Sequence, residues 1–432
     1  MTVAVFVGSL LAAMALGMPI AYALLVCGVV LMAFLAGTGA LPAFDSQIIA
    51  QRFVDGADNF PLLAVPFFLL AGEFMNAGGL SRRIIDLAMA WLGHYRGGLG
   101  YVAVMAAIIM ASLSGSAIAD TAALAALLIP MMKAAGYDVP RSAGLISAGG
   151  IIAPVIPPSI GFIIFGVAGN VSITKLFLAG IVPGVLMGLA IGATWFFLAR
   201  REDVRPAPRV PLAQRLRITA RGAFALALPV IIIGGMKFGV FTPTEAAVVA
   251  AVYSFVVGMF VYGELKVGQL YALTLAAGKT TAVVMFLVAA AMVSAWLITV
   301  ANIPTEVAAM LAPLMDNRVL LMLAMMLLIV AVGTALDFTP TVLILTPVLM
   351  PLVLKAGIDP VYFGVLFIMN NAIGLITPPV GTVLNVVCGV ARIGMDEAFK
   401  GVLPFLLAQL AVLFLLVLVP EIVTVPLKWW MH

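Results

Sequence analysis

Stretches with few or no charged residues recur along the chain at about the length of a bilayer-crossing helix. They fall near residues 3–16, 20–36, 61–77, 98–114 and 117–132, and again near 175–199, 223–242, 243–262, 278–300, 318–336, 338–354 and 397–425. About 20 apolar residues cross the hydrocarbon core as a helix. Unpaired backbone groups are too costly there for irregular chain, and no long alternating strand pattern of the barrel kind is present. The pattern therefore predicts membrane-spanning helices separated by Gly, Pro and short polar turns. One segment has a different character. Leu80, Ile84, Leu87, Ala88, Trp91 and Leu92 recur at helical spacing, with Arg82, Arg83 and Asp86 on the other side. This predicts an amphipathic helix, either facing the core or, as the adjacent Arg82 and Arg83 favour, lying in the interface.

Composition agrees with this pattern. Of 432 residues, 64% are hydrophobic and 9% charged, against about 25% charged in soluble chains. The expected fold class is an all-α polytopic membrane protein. The net charge of +4 gives no basic surface for nucleic acid. Cys27 and Cys388 sit in apolar runs, and His94 and His432 are the only histidines. These counts argue against a disulfide framework, haem, zinc and Ser–His hydrolysis. The N-terminal MTVAVFVGSLLAAMALG lacks the basic region of a cleaved signal, so it is expected to be retained as the first span.

Arg200 to Arg221 holds seven arginines and three prolines and divides the chain near its midpoint. By the positive-inside tendency it is expected to be a solvated cytoplasmic linker. The residues before and after it resemble each other. Pro130, Pro157, Pro158 and Pro183 recur 221 residues later as Pro351, Pro378, Pro379 and Pro404, with Gly136, Asp138 and Gly180 matching Gly357, Asp359 and Gly401. This divides the chain into a first repeat (1–199), the linker (200–221) and a second repeat (222–432). With hairpins near 138–160 and 358–380, each followed by a short crossing near 161–171 and 381–391, each half makes seven passes. An odd number inverts the second half. That path leaves only Arg52, Lys175, Lys237, Arg318, Lys355 and Lys428 of the 22 Lys and Arg outside. Inverted repeats with helices broken near the midplane are an architecture of secondary transporters.

Four interruptions carry candidate chemistry. Ser112, Ser114, Gly115 and Ser116, followed by Asp120, break one apolar run, and Gly149 to Gly161 contains Pro154, Pro157 and Pro158. Their counterparts are Gly333 to Thr341 and Asn370 to Thr382. Proline removes backbone donors and leaves carbonyls free. Free carbonyls beside hydroxyls suit a hard cation such as sodium, and half-helix N-termini suit an anion. A single Pro-Pro could merely kink a helix; its duplication beside small and hydroxyl residues favours ligand sites. Asp120 and Asp337 are open between a functional role and helix capping. Glu245, in Thr242-Pro243-Thr244-Glu245, reads as a capping box. On the substrate side the candidates are Asn370, Asn371, Ser159, Asp337 and Arg392, the last either an anion partner or a positive-inside anchor.

The segments PLLAVPFFLLAGEFMNAGGLSRRIIDLA, SGSAIADTAALAALLIPMMKAAGYD, PVIPPSIGFIIFG, FTPTEAAVVAAVYS and NNAIGLITPPVGTVLNV together resemble the large membrane subunit of tripartite ATP-independent periplasmic (TRAP) transporters, the DctM type. The resemblance covers nearly the whole chain. It implies an elevator-type, sodium-coupled symporter in the bacterial inner membrane. The substrate would be a small organic anion, such as a C4-dicarboxylate or an acidic sugar. A periplasmic solute-binding protein would deliver it, and a separate small subunit with about four spans would complete the assembly. Sodium ions would be the coupling ions, with no organic cofactor. Carried over by motif, one sodium site uses Ser112, Ser114 and Ser116 with the Ala153, Ile156 and Pro158 carbonyls, and the other uses Gly333, Gly374, Thr377 and Val380. Ala153 departs from the glycine more usual there, and Gly149-Gly150 from small hydroxyl residues.

Two other classes compete. An intramembrane lipid-modifying enzyme needs a cluster of catalytic His, Asp or Glu residues, of which the chain offers few, so no enzyme is expected. A passive channel needs a continuous polar pore.

Overall fold

A computed structural model describes residues 2–41, 43–200, 204, 206–315 and 317–431. Arg201 and Arg205 of the basic linker, and His432, lie outside the described residues. Every regular element among the described residues is a helix. Ten are long and apolar enough to cross a membrane.

Several boundaries fall where the charge-poor pattern puts them, including Gly98–Ser114, Ala117–Ala134, Arg318–Ala335 and Phe338–Lys355. The amphipathic segment is a helix, Leu80–Leu92, with Leu80, Ile84, Leu87 and Ala88 buried and Arg82 and Asp86 exposed. Others differ. The basic linker is not a loop throughout, because a helix starts at Leu212 and runs to Lys237, placing Arg215, Arg217 and Arg221 on its first turns. Pro211 supplies the fixed φ that opens a helix, and Arg215 Nε donates to Val210 O at 2.8 Å. Arg215 also lies over the Trp91 ring, whose Nε1 donates to Thr219 Oγ1 at 3.0 Å. That clamps the interfacial helix to this span. His94, in the adjacent turn, is held below the ordinary histidine range by burial and then by the Arg215 and Arg209 charges.

Val267–Val300 is a 34-residue helix, longer than its apolar stretch. At 1.5 Å per residue it spans about 51 Å, well beyond a core of about 30 Å. The C-terminal stretch is two helices, Met395–Leu418 and Glu421–Met431, separated at Val419 and Pro420. Ser46–Ala57 and Ile303–Leu311 are helices the charge-poor pattern passes over. The first is polar along much of its length and is capped by Asp45, which accepts from Gln47 N at 2.8 Å.

The hairpins near 138–160 and 358–380 need correcting. Val139–Gly150 ends as expected, but residues 151–159 form a run of turns and not a returning helical arm. The Ile152 and Ala153 amides reach back to Gly149 and Gly150 at 3.2 Å, and those of Val155 and Ile156 to Ile152 at 2.9 and 3.1 Å. Pro157 and Pro158 have no N–H with which to continue the preceding helix, and the next one starts where Ser159 caps Ile160–Gly169. The tightly folded helical pairs are others. Gly98–Ser114 packs against Ala117–Ala134 across Gly115-Ser116, and Arg318–Ala335 against Phe338–Lys355 across Leu336-Asp337. Gly115, at φ 65°, supplies the left-handed turn of the first.

The order of elements over residues 98–199 recurs over 318–418. Asp138 and Asp359 both cap helices, accepting from Arg141 N at 2.8 Å and Val361 N at 2.7 Å, and both Pro-Pro bonds are cis. These two stretches interleave. Met395–Leu418 lies on Val139–Gly150, where Gly144 and Gly401 bring the backbones together, and Phe338–Lys355 lies on Ile160–Gly169. Small residues permit such close helix contacts in a membrane. A second group surrounds them: Ala64–Ala77 on Pro243–Val256, Ser46–Ala57 on Val267–Val300, and Leu80–Leu92 on Leu212–Lys237. The groups meet where Leu80–Leu92 packs on Gly98–Ser114 and where Val267–Val300 passes Phe338–Lys355.

Candidate functional site

The first helical pair turns at Ser114 to Ser116. Ser114 Oγ donates to Asp120 Oδ1 at 2.5 Å, and the Ser116 amide donates to Ser114 Oγ at 3.2 Å. Asp120 is buried, and its Oδ2 has no hydrogen-bond partner among the described residues. Ser116 caps the second helix, accepting from Ala119 N at 3.4 Å. Ser112 is turned back on its own helix, donating to Ile109 O at 2.6 Å. The turn meets the Pro-Pro break directly, because a Cβ on Gly115 would collide with Pro158 O. Across the break, Ser159 Oγ donates to Pro154 O at 2.5 Å and accepts from Phe162 N at 3.1 Å. The Ala153, Ile156 and Pro158 carbonyls accept no hydrogen bond from any described residue. These are buried carbonyl oxygens that accept from no described donor, and the turn they meet carries a buried carboxylate with one unpartnered oxygen; that set of oxygens fits a hard monovalent cation.

The second break is built on the same plan. Gly333 and Gly374 touch: a Cβ on Gly374 would meet Gly333 O at 2.9 Å. Val380 N reaches Thr334 O at 3.4 Å, and Thr382 Oγ1 donates to Asp337 Oδ1 at 3.4 Å. Gly333 O and Thr377 O accept nothing from the described residues. Gly374 O already accepts from Thr377 N at 3.0 Å, and Val380 O from Asn385 Nδ2 at 2.6 Å. Thr377 Oγ1 donates to Ile373 O at 2.9 Å, which leaves its lone pairs free.

Between the breaks lies a half-open cavity of about 780 Å³. Ser116 to Ile118, Ile160-Gly161 and Phe338 to Pro340 reach it from the starts of three helices, with Pro154, Asp337 and Leu375 beside them and Phe286 and Leu287 opposite. The amides of Ala117, Ile118, Gly161 and Thr339 make no hydrogen bond to a described residue. Helix starts carry partial positive charge and free N–H groups, the usual partners of an anion. Asp337 is both a lining residue and a cap, accepting from Phe338 N at 2.9 Å.

The candidates on the substrate side separate here. Asp337 lines the cavity, whereas Ser159, Asn370 and Asn371 are buried behind it and do not. Asn370 Nδ2 donates to Met326 O at 2.6 Å. Asn371 Nδ2 donates to Phe338 O at 2.8 Å, and its unpartnered Oδ1 faces Gly333. Arg392 is exposed at the far end of Thr382–Ala391 and does not line the cavity. Sequence reasoning missed Tyr22, Thr280 and Phe286 as lining residues. The polar Lys279-Thr280-Thr281 inside a long apolar run was the available signal for that wall.

Residues 7–422 match the family described as "Tripartite ATP-independent periplasmic transporter, DctM component". The chain belongs to this family. The relatives of this DctM-type chain include the 2,3-diketo-L-gulonate TRAP transporter large permease protein of Escherichia coli. It is 56% identical over 99% of this chain and 100% of its own length. The C4-dicarboxylate TRAP transporter large permease protein of Pseudomonas aeruginosa is 37% identical, covering 87% of this chain and 88% of that one. The sialic acid TRAP transporter large permease protein of Vibrio cholerae is 36% identical, over 94% and 93%. In fold, the DctM-type chain is similar to the crystal structure of the YdaH transporter of Alcanivorax borkumensis. The TM-score is 0.63 at 17% identity, over 89% of this chain and 88% of that one. The chain is thus a multi-span TRAP transporter large permease, the class of secondary transporter whose named members carry organic acids.

Proposed function

We propose that the chain carries a small organic anion inward across the bacterial inner membrane, coupled to sodium. The observation that carries this reading is the cavity between the two breaks, into which three helix starts direct unpaired amides. An anionic carboxylate is the natural partner for those amides. Sodium at the two breaks supplies positive charge to either side of it, so ion and anion binding support each other electrostatically. The Ala153, Ile156 and Pro158 carbonyls with the Ser112–Ser116 turn hold one ion. Gly333, Gly374, Thr377 and Val380 hold the other. Asn371 supports the second site from behind through Phe338.

The interleaved inner group, residues 98–199 and 318–418, moves as the transport body against the outer group, in elevator fashion, and the two repeats are inverted. A sugar acid is the favoured substrate class, given the diketogulonate carrier among the relatives. A periplasmic binding protein delivers it, and a small membrane subunit completes the assembly. The test is uptake of labelled 2,3-diketo-L-gulonate into proteoliposomes holding this chain, the small subunit and the binding protein. Uptake that needs all three components is expected; equal uptake with this chain alone would contradict the reading.

A further inference from the structure

We propose that a second cavity, of about 650 Å³ and away from the site above, binds the phosphate-bearing headgroup of an acidic phospholipid. It lies between the interfacial helix Leu80–Leu92, the start of Leu212–Lys237 and the turn at Glu264. Among the described residues, five charged side chains line it: Arg82, Arg83, Asp86, Arg221 and Glu264. Arg83 is already engaged. Its Nη1 donates to Glu264 Oε1 at 2.7 Å and to Gly79 O at 3.0 Å, and its guanidinium lies 3.7 Å from the centre of the Tyr262 ring. Arg82 and Arg221 are different. Both are exposed, both line the cavity from separate helices, and neither makes an ion pair with a described residue. A groove of about 450 Å³ that shares Ile218 and Arg221 with it adds Arg217. Among the described residues, these three guanidinium groups without an ion pair face the single unpaired carboxylate of Asp86, so their charge is net positive.

Guanidinium forks match phosphate oxygens in geometry and hold them by charge-assisted hydrogen bonds. The rest of the wall is apolar, with Met89, Met131, Val210 and Ile218. A cationic rim on an apolar wall, beside a helix lying in the interface, fits a lipid rather than a soluble phosphate. Arginine-rich segments beside the membrane recognise acidic headgroups in this way. Met131 belongs to Ala117–Ala134, the helix whose first residue lines the transport cavity. A lipid in the cleft therefore touches both the interfacial helix and a site-bearing one. The proposal rests on the chain spanning a membrane and does not depend on sodium coupling.

The test titrates the purified full chain in neutral detergent with phosphatidylglycerol, phosphatidylcholine or soluble glycerol 3-phosphate. Bound lipid is read by native mass spectrometry and the unfolding midpoint by fluorescence. Phosphatidylglycerol should bind about tenfold or more tightly than phosphatidylcholine and raise the midpoint, with glycerol 3-phosphate producing no shift. Arg82→Gln/Arg221→Gln should lose that preference and keep the lipid-free midpoint, while Lys355→Ala/Lys428→Ala, remote from the cleft, should keep both. Arg82→Gln alone should lose part of the preference, which keeps the test open if the double variant folds poorly. An undiminished preference in the Arg82 and Arg221 variants, or the same loss in the lysine pair, would overturn the site. A shift with glycerol 3-phosphate equal to that with the lipid would overturn the assignment to a lipid.

Discussion

The two breaks derive from one sequence plan and are held in different ways. Residues 151–159 are buried throughout, whereas Thr377, Pro378 and Val380 are partly exposed and Pro379 is fully so. Side chains tie the first break together: Asp120 to Ser114, Ser114 to Ser116, Ser159 to Pro154. At the second the side-chain bonds are exposed or only part-buried, Asn385 to Val380, Thr382 to Asp337 and Thr377 to Ile373, and backbone contacts add to them. Its carbonyls are also less free, since Gly374 and Val380 already accept hydrogen bonds, while Ala153, Ile156 and Pro158 accept none. Duplication thus preserved where the helices break and let the reinforcement diverge. On this reading the buried break is fixed before its ion arrives, and the open one is completed by its ion.

The largest expected effect separates the two at glycine. Gly115→Ala forces a Cβ against Pro158 O in a left-handed backbone, so sodium-dependent uptake should fall by more than about tenfold. Gly381→Ala meets nothing nearer than 3.4 Å and bears only the left-handed strain of about 1–2 kcal/mol. Its loss in the same uptake assay should be smaller. Equal losses would break the comparison.

Next is Ser114→Ala. It removes the one hydrogen-bond partner that the buried Asp120 carboxylate has among the described residues and should cost about 1–3 kcal/mol of stability, read as a lower unfolding midpoint in detergent. Thr377→Val, at the partly exposed break, should leave the midpoint nearly unchanged and raise the sodium concentration for half-maximal uptake. The expected rise is that of one lost polar ligand, about 1–3 kcal/mol. An unchanged sodium dependence removes Thr377 from the site. The smallest effect belongs to Asn385→Ala, which frees Val380 O at an exposed position. It should change sodium affinity by about 0.5–1.5 kcal/mol and leave thermal stability alone.

Much of this was legible in the sequence, for identifiable reasons. Spans show because lipid-facing positions must be apolar, and the breaks show because proline and glycine mark where a helix cannot continue. The offset of 221 residues aligned Asp138 with Asp359 and Pro157-Pro158 with Pro378-Pro379, and the structure gives each pair the same cap or bond. The hairpin positions were not legible. A Pro-Pro pair and a Gly-Ser turn both interrupt an apolar run, and only packing tells which one folds back on itself. For Asn370 and Asn371, residue type signals donors and acceptors but not direction, and both amides are used inside the protein. Arg392 could not be placed because a few residues of helix carry a side chain from a break to the far surface. The helical end of the linker was hidden by its charge, although Pro211 marked where that helix starts.

The central claim is that sodium drives an organic anion into the cavity between the breaks. The most direct test imposes an inward sodium gradient on proteoliposomes containing the chain, its small subunit and the binding protein, and follows labelled 2,3-diketo-L-gulonate. Accumulation above the external concentration is predicted, lost when the gradient is collapsed or potassium replaces sodium. Uptake that reaches the same level with and without the sodium gradient would contradict it.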